Sequence, residues 1–231
     1  MLRTIALLVL AAPLVAQTKD PLDELNRVRL EGARKVAALA AQKARMVRAA
    51  HESGQRTQEE ALEAARFDLD AQLAVAALEE VGEQGTAREV LRMTKLVPMV
   101  RKIAEIETQR RALAQKSFEA GKLTELKLLK RQEAADAATL RLTFHEKAAA
   151  MKDPPRGYWT LNADRKWEQA KLRKAYADRR VKLLKPMVEQ GKETVEELLD
   201  ARIQQAKADT AVTSAEIGRR MAQRMEQMAG R

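Results

Sequence analysis

The sequence predicts an all-α protein of about six long helices in three repeats, stacked as elongated antiparallel hairpins with coiled-coil character. Three observations lead there. The first is composition: 33% of the 231 residues are charged and 3% are aromatic. Ala, Leu, Glu, Lys, Arg and Gln dominate, all strong helix formers that lose little rotamer entropy in a helix. Nine glycines and six prolines are too few to punctuate a β-protein, and no stretch alternates in the manner of a strand. The second is an internal repeat, Glu-x-Gly-x-x-Thr, which occurs at Glu52–Thr57, Glu119–Thr124 and Glu189–Thr194. The third is agreement around those centres. Eight residues after each glycine stand Leu62, Leu129 and Leu199, and seventeen after it stand Ala71, Ala138 and Ala208. Twenty-one after it come Val75, Leu142 and Val212. Eight before it are Met46, Leu113 and Leu183, and fifteen before it Leu39, Ile106 and Tyr176. Eight and fifteen differ by one heptad, so these residues share a helix face. Fixed-period self-similarity of this kind marks a repeat architecture.

The chain opens with Met1-Leu2-Arg3 and an uncharged run from Thr4 to Ala16, with Leu14-Val15-Ala16 ahead of Gln17. That is the layout of a secretory signal with cleavage near Ala16. The 13-residue run is short of the roughly 20 residues that span a bilayer, so no transmembrane segment is expected after signal removal. The chain has no cysteine, which excludes both a lipidated cysteine and a disulfide framework. The first hairpin is expected over 17–82, the second over 83–152, a Pro-rich linker over 153–162 and the third hairpin over 163–231.

Turn chemistry explains the repeat. Gly54, Gly121 and Gly191 suit the left-handed end of a helix. Thr57, Thr124 and Thr194, three residues on, suit N-caps of the returning helices. Glu60 and Glu197 complete capping boxes with Thr57 and Thr194, whereas Lys127 stands in that place after Thr124. Helices are expected near 21–53, 57–81, 86–120, 124–151, 163–190 and 194–228. Asp20-Pro21 starts the first, Gly82-Glu83-Gln84-Gly85-Thr86 separates two hairpins, and Asp153-Pro154-Pro155-Arg156-Gly157 separates the next pair. Pro98 and Pro186 should bend or interrupt their helices. The Ala-rich apolar positions should make thin seams rather than a thick core.

The segment Phe118-Glu-Ala-Gly121-Lys-Leu-Thr124 through Leu128-Leu129 to Ala138 resembles the helical repeat of TolC-type outer-membrane efflux proteins. In that family an aromatic-x-x-Gly turn precedes Thr or Ser, a Leu pair, and Ala and Gln positions on the returning helix. Glu189 to Ala208, with Leu198-Leu199, is similar, and Glu52 to Ala71 has Ala61-Leu62 in place of the pair. The resemblance implies a periplasmic helical-hairpin module with an efflux-related setting. No segment reads as a membrane strand with outward apolar alternation.

Residues suited to chemistry are few. His51 and His145 are the only histidines; they fall in different hairpins and are expected to be partly exposed helix residues. No phosphate-binding glycine loop, nucleophile elbow or dinucleotide fingerprint is present. No catalytic, cofactor-binding or metal site is therefore expected, and no cofactor. The net charge is +10. Lys171, Arg173, Lys174, Arg179, Arg180, Lys182 and Lys185 crowd one helix, with Tyr176 and Trp167 among them. They suit either anionic envelope polymers and lipid headgroups or a solvated face paired with the neighbouring arm. Nucleic acid is a poor fit for an exported chain. Met221, Met225 and Met228 form a stripe expected to pack within the last hairpin. The expected function is a non-enzymatic scaffold of the periplasm or cell envelope that binds other helical proteins or itself, with polyanion binding through 171–185 as the alternative.

Overall fold

The computed structural model describes residues 21–79, 86–151 and 157–229. The leader expected at 1–16, the Gly82–Gly85 break and Asp153–Arg156 lie outside the described residues. Six helices fill the rest: α1 (Pro21–Glu52), α2 (Gln58–Glu79), α3 (Thr86–Glu119), α4 (Glu125–Ala149), α5 (Tyr158–Glu189) and α6 (Val195–Ala229). The longest, α6, has 35 residues and at 1.5 Å per residue extends about 52 Å. α1 packs on α2, α3 on α4 and α5 on α6, while α2·α3 and α4·α5 contacts join the hairpins in series.

The three turns share one geometry. Gly54, Gly121 and Gly191 have φ of 76°, 69° and 67°, the left-handed region that a Cβ disfavours. In each, the glycine N–H donates to the carbonyl three residues back and the next N–H reaches one five back. These bonds are Gly54 to His51 at 2.9 Å and Gln55 to Ala50 at 2.8 Å, then Gly121 to Phe118 at 2.9 Å and Lys122 to Ser117 at 2.8 Å. Gly191 to Val188 at 3.0 Å and Lys192 to Met187 at 2.8 Å repeat the pair. This is the Schellman arrangement, which satisfies the carbonyls that a helix leaves open at its end. Each threonine hydroxyl then caps the returning helix. Thr57 accepts from the Glu60 N–H at 3.2 Å, Thr124 from Lys127 at 3.4 Å and Thr194 from Glu197 at 3.2 Å.

The capping boxes differ from expectation at one turn. Glu60 returns a bond from the Thr57 N–H at 2.9 Å, and that backbone bond, followed by Arg56, holds its carboxyl below the ordinary range. At the third turn the Glu197 carboxyl instead meets that of Glu193, and this contact raises the Glu193 pKa. Glu193 precedes Thr194 where Arg56 precedes Thr57, so the turn offers the glutamate a carboxyl rather than a guanidinium.

The seams are thin and rich in alanine. Ala71, Ala138 and Ala208 are 8%, 9% and 9% exposed, so the equivalent position does the same work in each copy. Leu73 of α2, Leu96, Val100 and Ile103 of α3 and Ala138 of α4 form one cluster. Val90 and Met93 of α3, Phe144 and Ala148 of α4 and Leu161 of α5 form another. α3 is thus the common wall of both. The residues eight before each glycine, and Leu39 and Ile106 fifteen before, are less buried than their neighbours one step nearer the turn, whereas Tyr176 is itself buried. Met46 and Leu39 are 65% and 66% exposed, whereas Ala40, Ala114 and Leu184 are buried.

One further departure concerns the linker. α3 and α5 each continue through the proline expected inside them, Pro98 and Pro186, and since proline has no N–H each leaves one helical hydrogen bond unmade. α5 starts at Tyr158, so the linker does not extend to 162 and Tyr158 packs against the second cluster. Gly157 there takes φ 81°, and a Cβ on it would meet the Met151 methyl at 3.3 Å.

A Cβ at Gly191 would meet no atom within 4 Å, so only the backbone angle resists substitution. Gly191→Val should therefore cost on the order of 1–2 kcal/mol, read as a lower midpoint in thermal circular dichroism. Thr194→Ala should cost about 1 kcal/mol through the lost cap. A melting temperature indifferent to Gly191→Val would show that the left-handed turn is not required.

Candidate functional site

The turn residues form a common end. Arg131 and Glu59 meet at 2.5 Å across α4 and α2, ten and five residues past Gly121 and Gly54. The Tyr176 hydroxyl donates to Asp136 at 2.6 Å across α5 and α4. Tyr176 stands fifteen residues before Gly191 and Asp136 fifteen after Gly121, so the glycine turns lie on one side of the stack. Burial, then that hydrogen bond, pushes the Tyr176 pKa well above its ordinary value.

Sequence reasoning missed the most polar part of the interior. Glu107 is 0% and Arg110 3% exposed, both on α3 where it faces α2. Glu107 Oε1 takes Arg66 Nε at 2.9 Å and Arg110 Nη1 at 3.0 Å. Arg110 Nη2 reaches Glu63 at 3.2 Å. Arg66 also meets Asp70 at 3.5 Å. Removing one member of such a group leaves its partner charged and desolvated. An open cleft of about 660 Å³ beside it is lined by Lys43, Arg56, Glu60, Arg66, Arg110 and Arg131 among others, with both signs of charge. One signal was available: Glu107 stands fourteen before its glycine, where the other copies have Ala40 and Ala177.

The two histidines part ways. His51, half-buried, donates from Nδ1 to the Arg56 carbonyl at 2.9 Å within the first turn. His145 is not partly exposed as expected; it is 5% exposed, next to Phe144 on the face of α4 that enters the core. Its Nδ1 donates to the Arg141 carbonyl at 2.9 Å. Burial lowers its pKa first, and the cations Arg141, Arg165 and Arg92 lower it further, against the carbonyl bond. Burial lowers the Arg141 pKa as well. No group of His, Cys, Asp and Glu among the described residues could hold a metal ion.

The basic helix does not present one face. By helical spacing Lys171, Lys174, Lys182 and Lys185 share a side, while Arg173 and Arg180, seven apart, lie on another. Several are engaged within the chain. Lys171 stands over the Trp167 ring at 4.1 Å, with Arg219 at 4.1 Å from the same ring, and pairs with Glu168 at 3.3 Å. Lys174 bonds to Asp209 of α6 and to Asp178 at 3.5 Å, and the bond to Asp209 raises its pKa. Arg179 lies 5.7 Å from the Tyr176 ring centre. The neighbouring arm therefore supplies one acid, Asp209, while the aromatics and the other acids belong to α5 itself.

The outer helices carry the largest exposed apolar surface. The methionine stripe does not pack inward: Met221, Met225 and Met228 are 59%, 65% and 77% exposed. It continues from Val195, Leu199, Ile203 and Ile217, all exposed. α1 matches it with Leu25, Val28, Val36, Leu39 and Met46. On α5 and α6, Trp159, Ala170, Gly218, Met221 and Met225 help line an open groove of about 680 Å³. No helix among the described residues is long and apolar enough to cross a membrane. Compared with known families, curated proteins and solved structures, the chain matches none.

Glu107→Ala should lower stability by about 3–5 kcal/mol, because Arg66 and Arg110 both lose their buried carboxylate and Arg110 keeps only the largely exposed Glu63; denaturant unfolding measures it, and a loss below about 1 kcal/mol would contradict the burial. His145 has a folded pKa below its unfolded value of about 6.5. Its contribution to stability is complete above pH ~6.5 and falls as acid charges the unfolded ring. Wild type should therefore begin to lose stability as pH falls through about 6.5, and His145→Gln should flatten that limb.

Proposed function

We propose that this chain is an exported, non-enzymatic helical scaffold that binds other proteins in the cell envelope. One observation carries the reading: α1 and α6, at the two ends of the series, expose apolar stripes along their length. Exposed contiguous apolar surface of this kind marks interaction sites in soluble proteins. The leader-like Met1–Ala16 supports export. The resemblance of the Gly121 and Gly191 turns to TolC-type hairpins supports an envelope setting, with an efflux-related role as its narrower form. The open, mixed-charge clefts offer no walled pocket in which a carboxyl pair could be tuned for acid–base work.

Polyanion binding through 171–185 is the competing reading. Against it stand the pairing of Lys171, Lys174 and Arg179 within the hairpin and the spread of the cations around α5.

Expression in a secreting host should give a mature chain starting near Gln17 outside the cytoplasm; intact Met1 on all soluble protein would refute export. Capture of envelope proteins should persist at about 300 mM salt, where the Debye length is roughly 6 Å. It should weaken with Leu199→Asp or Met221→Asp and survive Arg179→Glu with Arg180→Glu and Lys182→Glu. Capture abolished by salt and by the basic triple variant alone would favour the polyanion reading instead.

A further inference from the structure

The exposed stripes occupy repeat positions that elsewhere in the chain are interfaces. Between the first and second hairpins, α2 meets α3 through two ion pairs and one apolar residue. Glu63, nine after its glycine, pairs with Arg110, eleven before the next, at 3.2 Å. Arg66, twelve after, pairs with Glu107, fourteen before, at 2.9 Å. Leu69, fifteen after, packs against the cluster built on α3. Between the second and third hairpins the fifteen-after residue Asp136 meets the fifteen-before residue Tyr176. The charges change from one junction to the next, since Lys130 and Arg180 stand there at the positions of Glu63 and Arg110, but in both the returning helix of one hairpin docks on the leading helix of the next.

On α6 the same three positions are Asp200, Ile203 and Ala206, and on α1 they are Lys43, Ala40 and Leu39. Asp200, Ile203, Ala206, Lys43 and Leu39 are all exposed, with Ile203 at 51% and Leu39 at 66%. Lys43 rests near the Phe67 ring, 5.8 Å from its centre, with its ammonium at the surface. Asp200 and Lys43 are thus of opposite charge, as Glu63 and Arg110 are, and Ile203 and Leu39 are exposed apolar residues, whereas Ala40 is already buried within the chain. The charges beyond them agree. α6 begins with Glu196, Glu197 and Asp200, while the turn-proximal part of α1 carries Lys43, Arg45 and Arg48. A stacked array normally ends in polar capping faces; this one ends in apolar faces on both sides.

We infer that α6 of one molecule docks on α1 of a second copy of the same chain, continuing the hairpin series head to tail. The contact is heterologous: each copy has one free donor face and one free acceptor face. Such an interface adds copies until a ring closes or a filament grows. The inference deepens the scaffold reading by naming the partner, and it rests on that reading's claim that the outer helices are binding faces.

The test uses the mature chain, light scattering coupled to size exclusion, and two variants, Leu39→Glu and Ile203→Glu. Both residues are exposed, and helical circular dichroism checks that each variant folds. Wild type should self-associate, and each variant alone should lose that association and run as a monomer. An equimolar mixture should give a heterodimer and nothing larger, because the intact α6 of one fits the intact α1 of the other. Asp200→Lys or Lys43→Glu alone should weaken the wild-type assembly, and the two together in one chain should restore it. A monomeric wild type overturns the inference. So does an assembly that only Ile203→Glu disrupts, which means α6 pairs with α6, and so does a mixture that stays monomeric. If wild type is monomeric yet captures an envelope protein through Met221 and Leu199, this inference fails and the scaffold reading stands. If it neither self-associates nor captures, both fail.

Discussion

The stack depends on one backbone constraint, the left-handed glycine that ends α1, α3 and α5. A helix could otherwise run on, since the flanking residues, Ser53 and Gln55, Ala120 and Lys122, Gln190 and Lys192, all enter helices at little cost. Positive φ at Gly54, Gly121 and Gly191 stops it within one residue, and the threonine three residues later restarts it in the reverse direction. Because stop and restart are separated by the same short span each time, the two arms of every hairpin enter with one relative phase. That phase places alanine seventeen residues later on the seam in all three copies. Everything broader, from the contacts between hairpins to the outward stripes, inherits its register from these turns.

Given that register, small side chains do most of the packing between arms, and the larger ones gather where hairpins meet. α3 shows this division. Its Leu96, Val100 and Ile103 meet α2, while Val90 and Met93 meet α4 and α5. The middle hairpin is accordingly the best buried, and the flanking helices α1 and α6 carry the unmatched surface. Apolar burial is worth roughly 25 cal/mol per Å² removed from water. Stripes of the extent seen on α1 and α6 thus hold a substantial driving force for association.

The turns were legible in the sequence because their chemistry is local: a glycine, a threonine and a fixed gap specify both bond patterns. The helix limits followed, apart from α5, whose first turn was hidden behind the prolines at 154 and 155 and starts on the left-handed Gly157. Burial was less legible, because it depends on a hairpin far away in the chain. His145 and Phe144 are adjacent and both enclosed, yet nothing local separates His145 from the solvated His51. The inward direction of the methionines was misjudged for the same reason; their stripe is periodic, but periodicity does not say whether a neighbour lies alongside. The basic helix was legible as composition, whereas the pairing of Lys174 with Asp209 required the partner arm.

Three hairpins with matching turns and matching alanine seams pose a hazard while the chain is still folding. The first could settle against the third, or slide by a turn on the second, and bury nearly as much apolar surface. Glu107 and Arg110 make those errors costly. Only Arg66 and Glu63 at their proper height supply both missing charges. Any other neighbour desolvates the Glu107–Arg110 pair without the outer charges that complete it, a cost the pair alone does not offset. A group that adds little to the depth of the native minimum can in this way raise the competing ones, and so set the order of neighbours that the repeat by itself leaves ambiguous.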